Sequence, residues 1–191
     1  NAVADILYGK VSPSAKLSVS YPNAEVYEPI CYNYSTEKDA RVAWPFGYGL
    51  SYTSFEYDKL DLVQEVATTD EALTIAFEVK NTGTVKADEI TQIYLSPADG
   101  NTNIRPIQLQ GFARVSLEPG QTKRVEVKLY TEQFGYYSND GQRQWNIAPG
   151  KFAIKVGASS QDIRLTGEIN LKGETVVKPL RGYYFSESTI N

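Results

Sequence analysis

Two closely spaced carboxylate pairs, Glu25/Glu28 and Asp88/Glu89, are the candidates for acid–base work in this 191-residue chain. Such work needs two carboxyl groups whose surroundings push their pKa values apart, one held protonated and one ionised. Neither pair has an evident device for that. The first lies in a polar stretch and the second at the entrance of an apolar run, so both read as ordinary loop or strand-end charges. Cys31 is the only cysteine, and histidine is absent. A Ser-His-Asp triad, a Cys-His dyad and a histidine-ligated zinc are therefore excluded, and no internal disulfide can form. Cys31 reads as a small buried hydrophobe. Catalytic, cofactor-binding and metal-binding residues are expected to be missing from the chain.

Aromatic chemistry is concentrated in residues 44–55, WPFGYGLSYTSF, where five of the twelve residues are aromatic. Trp44, Phe46, Tyr48, Tyr52 and Phe55 could stack on sugar rings. Aromatic side chains also supply much of the energy of buried interfaces, and interdomain packing is the preferred reading for them and for Leu50. Gly47 and Gly49 permit positive φ or a close backbone approach, and Pro45 stiffens the start of the stretch. The stretch should form a rigid, non-helical joint between two bodies. Trp145 is another platform candidate, but its place before the Ala148-Pro149-Gly150 turn favours a core or corner role. Asn101 and Asn103 could contact a ligand, or belong to an exposed loop. Asn33-Tyr34-Ser35 fits the N-glycosylation triplet, a match short enough to arise often by chance.

Hydrophobic residues at 41% and charged residues at 22% suit a globular chain with a sizeable core. The net charge of −4 and sequence pI near 5.0 lack the basic footprint of a nucleic-acid partner. No apolar run approaches the ~20 residues of a membrane span. No leader is visible at Asn1, which carries no weight if the chain begins inside a longer protein.

These residues must be positioned by four segments. Residues 1–22 hold a helical run closed by Gly9, turn chemistry at Ser12-Pro13-Ser14, and an alternating strand pattern over 17–21 stopped by Pro22. A helix, a turn and one strand form no domain, so they read either as a decoration of the β-rich remainder or as the last unit of an α/β domain. Residues 23–54 are a connecting loop leading into the joint. From 55 to 171 the period is two. Leu73, Ile75, Phe77 and Val79 alternate with more polar neighbours, as do Val125, Val127 and Leu129. Residues 90–95 are apolar on both faces, as a central strand should be. Gly111 is a candidate bulge, and Asn81-Thr82-Gly83 and Glu118-Pro119-Gly120 are turns. Ile163, Leu165, Ile169 and Leu171 close the pattern. About seven strands at this spacing predict an immunoglobulin- or fibronectin-like β-sandwich. The tail, 172–191, could pack back on it or meet another surface.

Several local matches then agree in order. Residues 4–9 (ADILYG) and 12–17 (SPSAKL) resemble the "ADxLxG…NPSGKLPVTFP" end of the α/β domain in family 3 glycoside hydrolases. Residues 44–55 resemble that family's "FPFGYGLSYTTF" joint. Asn81-Thr82-Gly83, Gln92-Ile93-Tyr94, Arg105-Pro106, Leu109-Gln110-Gly111-Phe112, Leu117-Glu118-Pro119-Gly120, Trp145, Pro149-Gly150 and Val156-Gly157-Ala158-Ser159-Ser160 resemble its fibronectin type III-like domain. Ala15 stands where relatives have glycine, so either the turn differs or glycine's freedom is not needed there. Asp39-Ala40-Arg41-Val42-Ala43 departs from the "YRYYD" stretch, so no rim residue is carried onto 23–43. The resemblance implies a mainly β chain: a fibronectin type III-like sandwich preceded by an α/β remnant, from a β-glucosidase- or β-xylosidase-type retaining enzyme. Such enzymes use two carboxyl groups ~5–5.5 Å apart. In the family both lie upstream of the segment matched here. The implied partners are the catalytic domains of the same polypeptide and, for the whole enzyme, a β-linked oligosaccharide. The implied location is periplasmic or extracellular. The alternative is a free-standing sandwich that binds glycan or a cell-surface partner.

Overall fold

The computed structural model describes residues 2–25, 30–34, 40–63, 65–138 and 140–191. Helix α1 (Ala2–Leu7) is followed by Gly9 at φ +73°, the left-handed closure its glycine permits. Residues 17–21 do not form the expected strand. Leu17 exchanges backbone hydrogen bonds with the joint, its N–H to Tyr48 O at 2.8 Å and its carbonyl from Gly47 N–H at 2.8 Å. The chain then bends at Ser18 and Val19. Only β1 (Tyr21–Pro22) is extended, paired with β2 (Val42–Trp44). Of the alternating Leu17, Val19 and Tyr21 only Leu17 is half-buried, and it meets the joint without a ladder, while Val19 and Tyr21 are exposed. Ala15 has no positive φ, so the turn does without glycine's freedom.

The sandwich starts at β3 (Phe55–Leu62), continues through β4 (Glu65–Ala67), β5 (Ala72–Asn81), β6 (Ala87–Pro97), β7 (Gln108–Leu117) and β8 (Thr122–Tyr130). It proceeds to β9 (Tyr136–Tyr137), β10 (Trp145–Ile147), β11 (Gly150–Gly157) and β12 (Ile163–Lys172), and adds β13 (Val176–Lys178) and β14 (Glu187–Ile190). One main sheet has the order β4-β12-β11-β6-β7, and the other β14-β8-β5-β3. The core between them joins Leu73, Ile75, Phe77 and Val79 of β5 and Val125, Val127 and Leu129 of β8 to Ile93, Leu95, Val115, Phe152 and Ile154. β6 is central, as its apolar character implied. Ile93 pairs with Gly111 and Tyr94 with Leu109, so the bulge falls at Gln110, beside the glycine expected to mark it. The chain beyond Leu171 packs back on the sandwich. β13 joins a small sheet β13-β10-β9, and β14 lengthens the four-stranded sheet along β8.

Candidate functional site

The joint lies on the outer face of the five-stranded sheet, over β6. Successive strand residues face opposite ways, so Ile93 and Leu95 enter the core while Gln92 and Tyr94 point out. Both outward residues are buried all the same, at 3% and 0% exposure. Gln92 Nε2 donates to Gly47 O at 3.1 Å and to Ala158 O at 2.7 Å, and its Oε1 accepts from the Tyr94 hydroxyl. Burial, and then the neighbouring Tyr32, push the Tyr94 hydroxyl far above its ordinary pKa, so it remains a donor. Tyr32 stacks on Phe46 at 4.0 Å between ring centroids, and its hydroxyl accepts from Leu109 N–H. Phe46 O accepts from Ser160 N–H at 3.0 Å. Gly47 has φ +80°, and a Cβ there would overlap the Gln92 amide.

The N-terminal segment grips the joint from its other side. Ser12 Oγ accepts from Tyr52 N–H at 3.0 Å and shares a hydrogen bond with Ser51 Oγ. The Tyr52 hydroxyl donates to Ile6 O at 2.8 Å. A Cβ on Gly49 would lie 2.6 Å from Ala15 O, so glycine allows the two backbones to meet. Beneath this contact Lys16 Nζ reaches Glu89 at 3.2 Å, with side chains 14% and 5% exposed. Glu89 also accepts from the Tyr57 hydroxyl at 2.8 Å. Burial first, then the Glu89 carboxylate, push the Tyr57 hydroxyl well above its ordinary value, so it too stays a donor. Asp88 pairs with Arg114, which donates to Ser14 Oγ at 3.2 Å. Both carboxylates of the Asp88/Glu89 pair thus tie the N-terminal segment to the sandwich. Glu28 of the other pair lies outside the described residues, as does Ser35 of the glycosylation triplet.

The joint residues divide by exposure. Phe46, Gly47, Tyr48, Gly49 and Phe55 are buried or half-buried. Trp44, Leu50 and Tyr52 are 50%, 66% and 47% exposed. Trp44 meets Tyr21 edge-on, and with Ile6, Pro13, Leu17 and Leu50 they line an apolar groove of about 640 Å³. Among the described residues eighteen large hydrophobic side chains are exposed, and nine of them fall in residues 2–52: Val3, Leu7, Tyr8, Val11, Val19, Tyr21, Trp44, Leu50 and Tyr52. Apolar patches of this kind mark interaction surfaces.

Other candidates resolve differently. Trp145 is 6% exposed and donates its indole N–H to Glu132 O at 2.9 Å, a corner role that leaves no open sugar platform. Asn101 and Asn103 fold their loop on itself, with Asn103 N–H donating to Asn101 Oδ1. Cys31 is exposed, contrary to the expectation of a buried hydrophobe. It precedes the short 3-10 turn Tyr32–Tyr34, whose Tyr32 takes the covered position on Phe46 instead. Among the described residues no group of three or more His, Cys, Asp or Glu side chains is placed to hold a metal ion. None of their helices is long and apolar enough to cross a membrane.

Lys16, Glu89, Gln92 and Asn81 carry structural roles that their sequence context does not announce. Glu89 leaves one signal, because a period of two puts it on the same face as Ile93 and Leu95, an inward position for a charge. Asn81 resembles a plain turn residue but is fully buried. Its Oδ1 accepts from Thr53 Oγ1 at 2.6 Å and from Gly83 N–H, and its Nδ2 donates to Val85 O and Leu117 O. Thr53→Val removes one of these bonds while keeping the shape. It should cost about 1 kcal/mol, read as a lower urea midpoint at unchanged slope.

Comparison with known proteins places these features. Residues 1–52 match the glycosyl hydrolase family 3 C-terminal domain, and residues 89–160 the fibronectin type III-like domain. A beta-glucosidase of Kluyveromyces marxianus is 35% identical over 94% of this chain and 23% of its own length. An exo-alpha-(1->6)-L-arabinopyranosidase of Bifidobacterium breve is 33% identical over 94% of this chain and 26% of its own length. The crystal structure of the Kluyveromyces enzyme superposes with a TM-score of 0.80 at 33% identity, covering 93% of this chain and 24% of that one. The chain therefore spans about a quarter of the length of the relatives it matches.

Proposed function

We propose, since this chain belongs to glycosyl hydrolase family 3 and carries the end of its C-terminal domain with the fibronectin type III-like domain, that it braces the catalytic domains of a retaining β-glycosidase and cleaves no bond itself. The observation that carries this reading is the grouping of exposed apolar residues on 2–52, around a joint that Gln92 holds to the sandwich and Ser12 holds to the N-terminal segment, itself tied to the sandwich by Lys16 and Glu89. Such a surface suits a permanent neighbour, here the upstream domains of the same polypeptide. Trp44, Leu50 and Tyr52 would meet that neighbour directly. Phe46, Gly47, Tyr48, Gly49 and Phe55 would hold them in place. The whole enzyme would act on a β-linked oligosaccharide, in the periplasm or outside the cell. Relatives whose names give different sugars, a beta-glucosidase and an arabinopyranosidase, match the same share of this chain. That supports placing sugar selection upstream.

The chain alone should show no turnover of aryl β-glucosides or β-xylosides. Turnover abolished by a substitution within the chain would sink the proposal. In a polypeptide carrying the upstream domains, Leu50→Asp should weaken domain docking by about 2 kcal/mol, seen as a lower melting temperature. The same substitution should leave the melting of the isolated chain unchanged.

A further inference from the structure

The C-terminal segment is fastened in a way the bracing role does not require. Glu132 sits in the 3-10 turn Thr131–Phe134 after β8 and is 4% exposed. One of its carboxylate oxygens pairs with Lys178 Nζ of β13. The other accepts from Gly182 N–H at 2.6 Å and from Tyr183 N–H at 3.2 Å. From this anchor the chain runs along the sandwich edge. Tyr183 stacks on Tyr130 at 3.8 Å, and β14 then pairs with β8 from Glu187↔Lys128 to Ile190↔Val125. The residues of β14 are all exposed, so its ladder is supported by little side-chain burial. An outer strand of this kind covers backbone groups that would otherwise recruit another chain.

We propose that residues 176–190 form a strap closing the sheet edge along β8, held shut by the Glu132 carboxylate, so that protonating this carboxyl frees the strap while the sandwich stays folded. A protonated carboxyl loses its charge for Lys178 and the two amides, and its hydroxyl must face either the ammonium or the amide pair, both of which are donors. Burial raises the Glu132 pKa, but Lys178 and the Gly182 and Tyr183 amides outweigh it and leave the carboxyl below its ordinary value of 4.5. A carboxyl lowered in the closed state stabilises that state wherever it is ionised. The contribution is complete above 4.5 and is lost as pH falls through the lowered value.

Other charges face the strap. Arg181 lies over the Trp145 and Tyr184 rings and donates to Gln110 Oε1. The neighbouring Tyr137 raises the Tyr184 hydroxyl above its ordinary pKa. Glu71 accepts from the Tyr183 hydroxyl. Glu187 accepts from the Tyr130 hydroxyl and pairs with Lys128 at 3.9 Å. Glu71 and Glu187 are carboxyls too, so an acid response alone would not identify the latch.

The test is hydrogen exchange read by mass spectrometry as protection factors, which divide out the intrinsic pH dependence. The strap (176–190) and β8 are followed against β5 and β6 as core reporters. In the unmodified chain, strap protection should fall at least tenfold below pH 4.5 while the core stays protected. Glu132→Gln should show the lowered protection already at pH 7 and no further acid step. Lys178→Met, at a side chain 42% exposed, should move the release midpoint to higher pH, and Glu187→Gln should leave an acid step in place. The proposal is overturned if strap and core lose protection together in the unmodified chain. It is also overturned if Glu132→Gln keeps full strap protection at pH 7, or if Lys178→Met leaves the midpoint unmoved.

Discussion

Gly47→Ala should release the joint from the sheet, at a cost of about 3–5 kcal/mol. Two effects add. An L-residue at φ +80° costs roughly 1–2 kcal/mol relative to glycine. The new Cβ would also occupy the space of Gln92 Oε1, so the amide must leave. Its departure strips partners from the Tyr94 hydroxyl, Gly47 O and Ala158 O, and each buried polar group left unsatisfied costs about 1–3 kcal/mol. Few single substitutions act this strongly. Exchange at the Leu17 amide, which donates to Tyr48 O, reports the joint directly and should accelerate before the core amides of β5 and β6. A control separates the two effects. In a Gln92→Ala background, Gly47→Ala should cost only the backbone part, about 1–2 kcal/mol. Full additivity would mean that the clash is not what matters.

Glu89→Ala should destabilise the chain by about 3–5 kcal/mol, the range for removing one member of a buried ion pair. The loss comes mainly from what remains: Lys16 keeps a charge in a site where its side chain is 14% exposed, and the Tyr57 hydroxyl loses its acceptor. Glu89→Gln should cost less, because its carbonyl can still accept from Tyr57. Adding Lys16→Met to Glu89→Gln should restore much of the loss, since two neutral partners of similar shape often match a buried pair. Urea denaturation of the unmodified chain, Glu89→Gln, Lys16→Met and the double variant yields the coupling energy, expected at about 1 kcal/mol or more. A coupling near zero would show that Lys16 and Glu89 are solvated in solution.

The sandwich is legible in the sequence because its strands obey one rule for long stretches. Residues 73–79 and 125–129 alternate without interruption, and the Asn81-Thr82-Gly83 and Glu118-Pro119-Gly120 turns punctuate them. The same rule misleads at 17–21, where Leu17 exchanges backbone hydrogen bonds with the joint while Val19 and Tyr21 stay exposed. Residues 90–95 are readable as central, yet nothing in them says that the outer cover is the 44–48 stretch and not another layer of structure. Glu132 is invisible for a simpler reason. Thr-Glu-Gln-Phe after a strand looks like a solvated turn, and the groups that bury its carboxylate lie 46 to 51 residues further on. The joint is recognisable as aromatic packing material, but its division into anchored and outward-facing residues depends on partners distant in sequence, such as Gln92 and Ser160.

The double burial of β6 bears on how this sandwich can be moved between proteins. A cut at Phe55, where the regular strands begin, would bare Tyr94 and Gln92 to water and strip the amide of its carbonyl partner in the joint. The smallest transplantable unit therefore begins upstream of its own first strand and takes in Lys16, Tyr32 and residues 44–54. Gene fusions that respect the strand pattern but omit these residues would inherit a sheet with one wet, unfinished face. Recombination should preserve the seam and the sandwich as one inherited block.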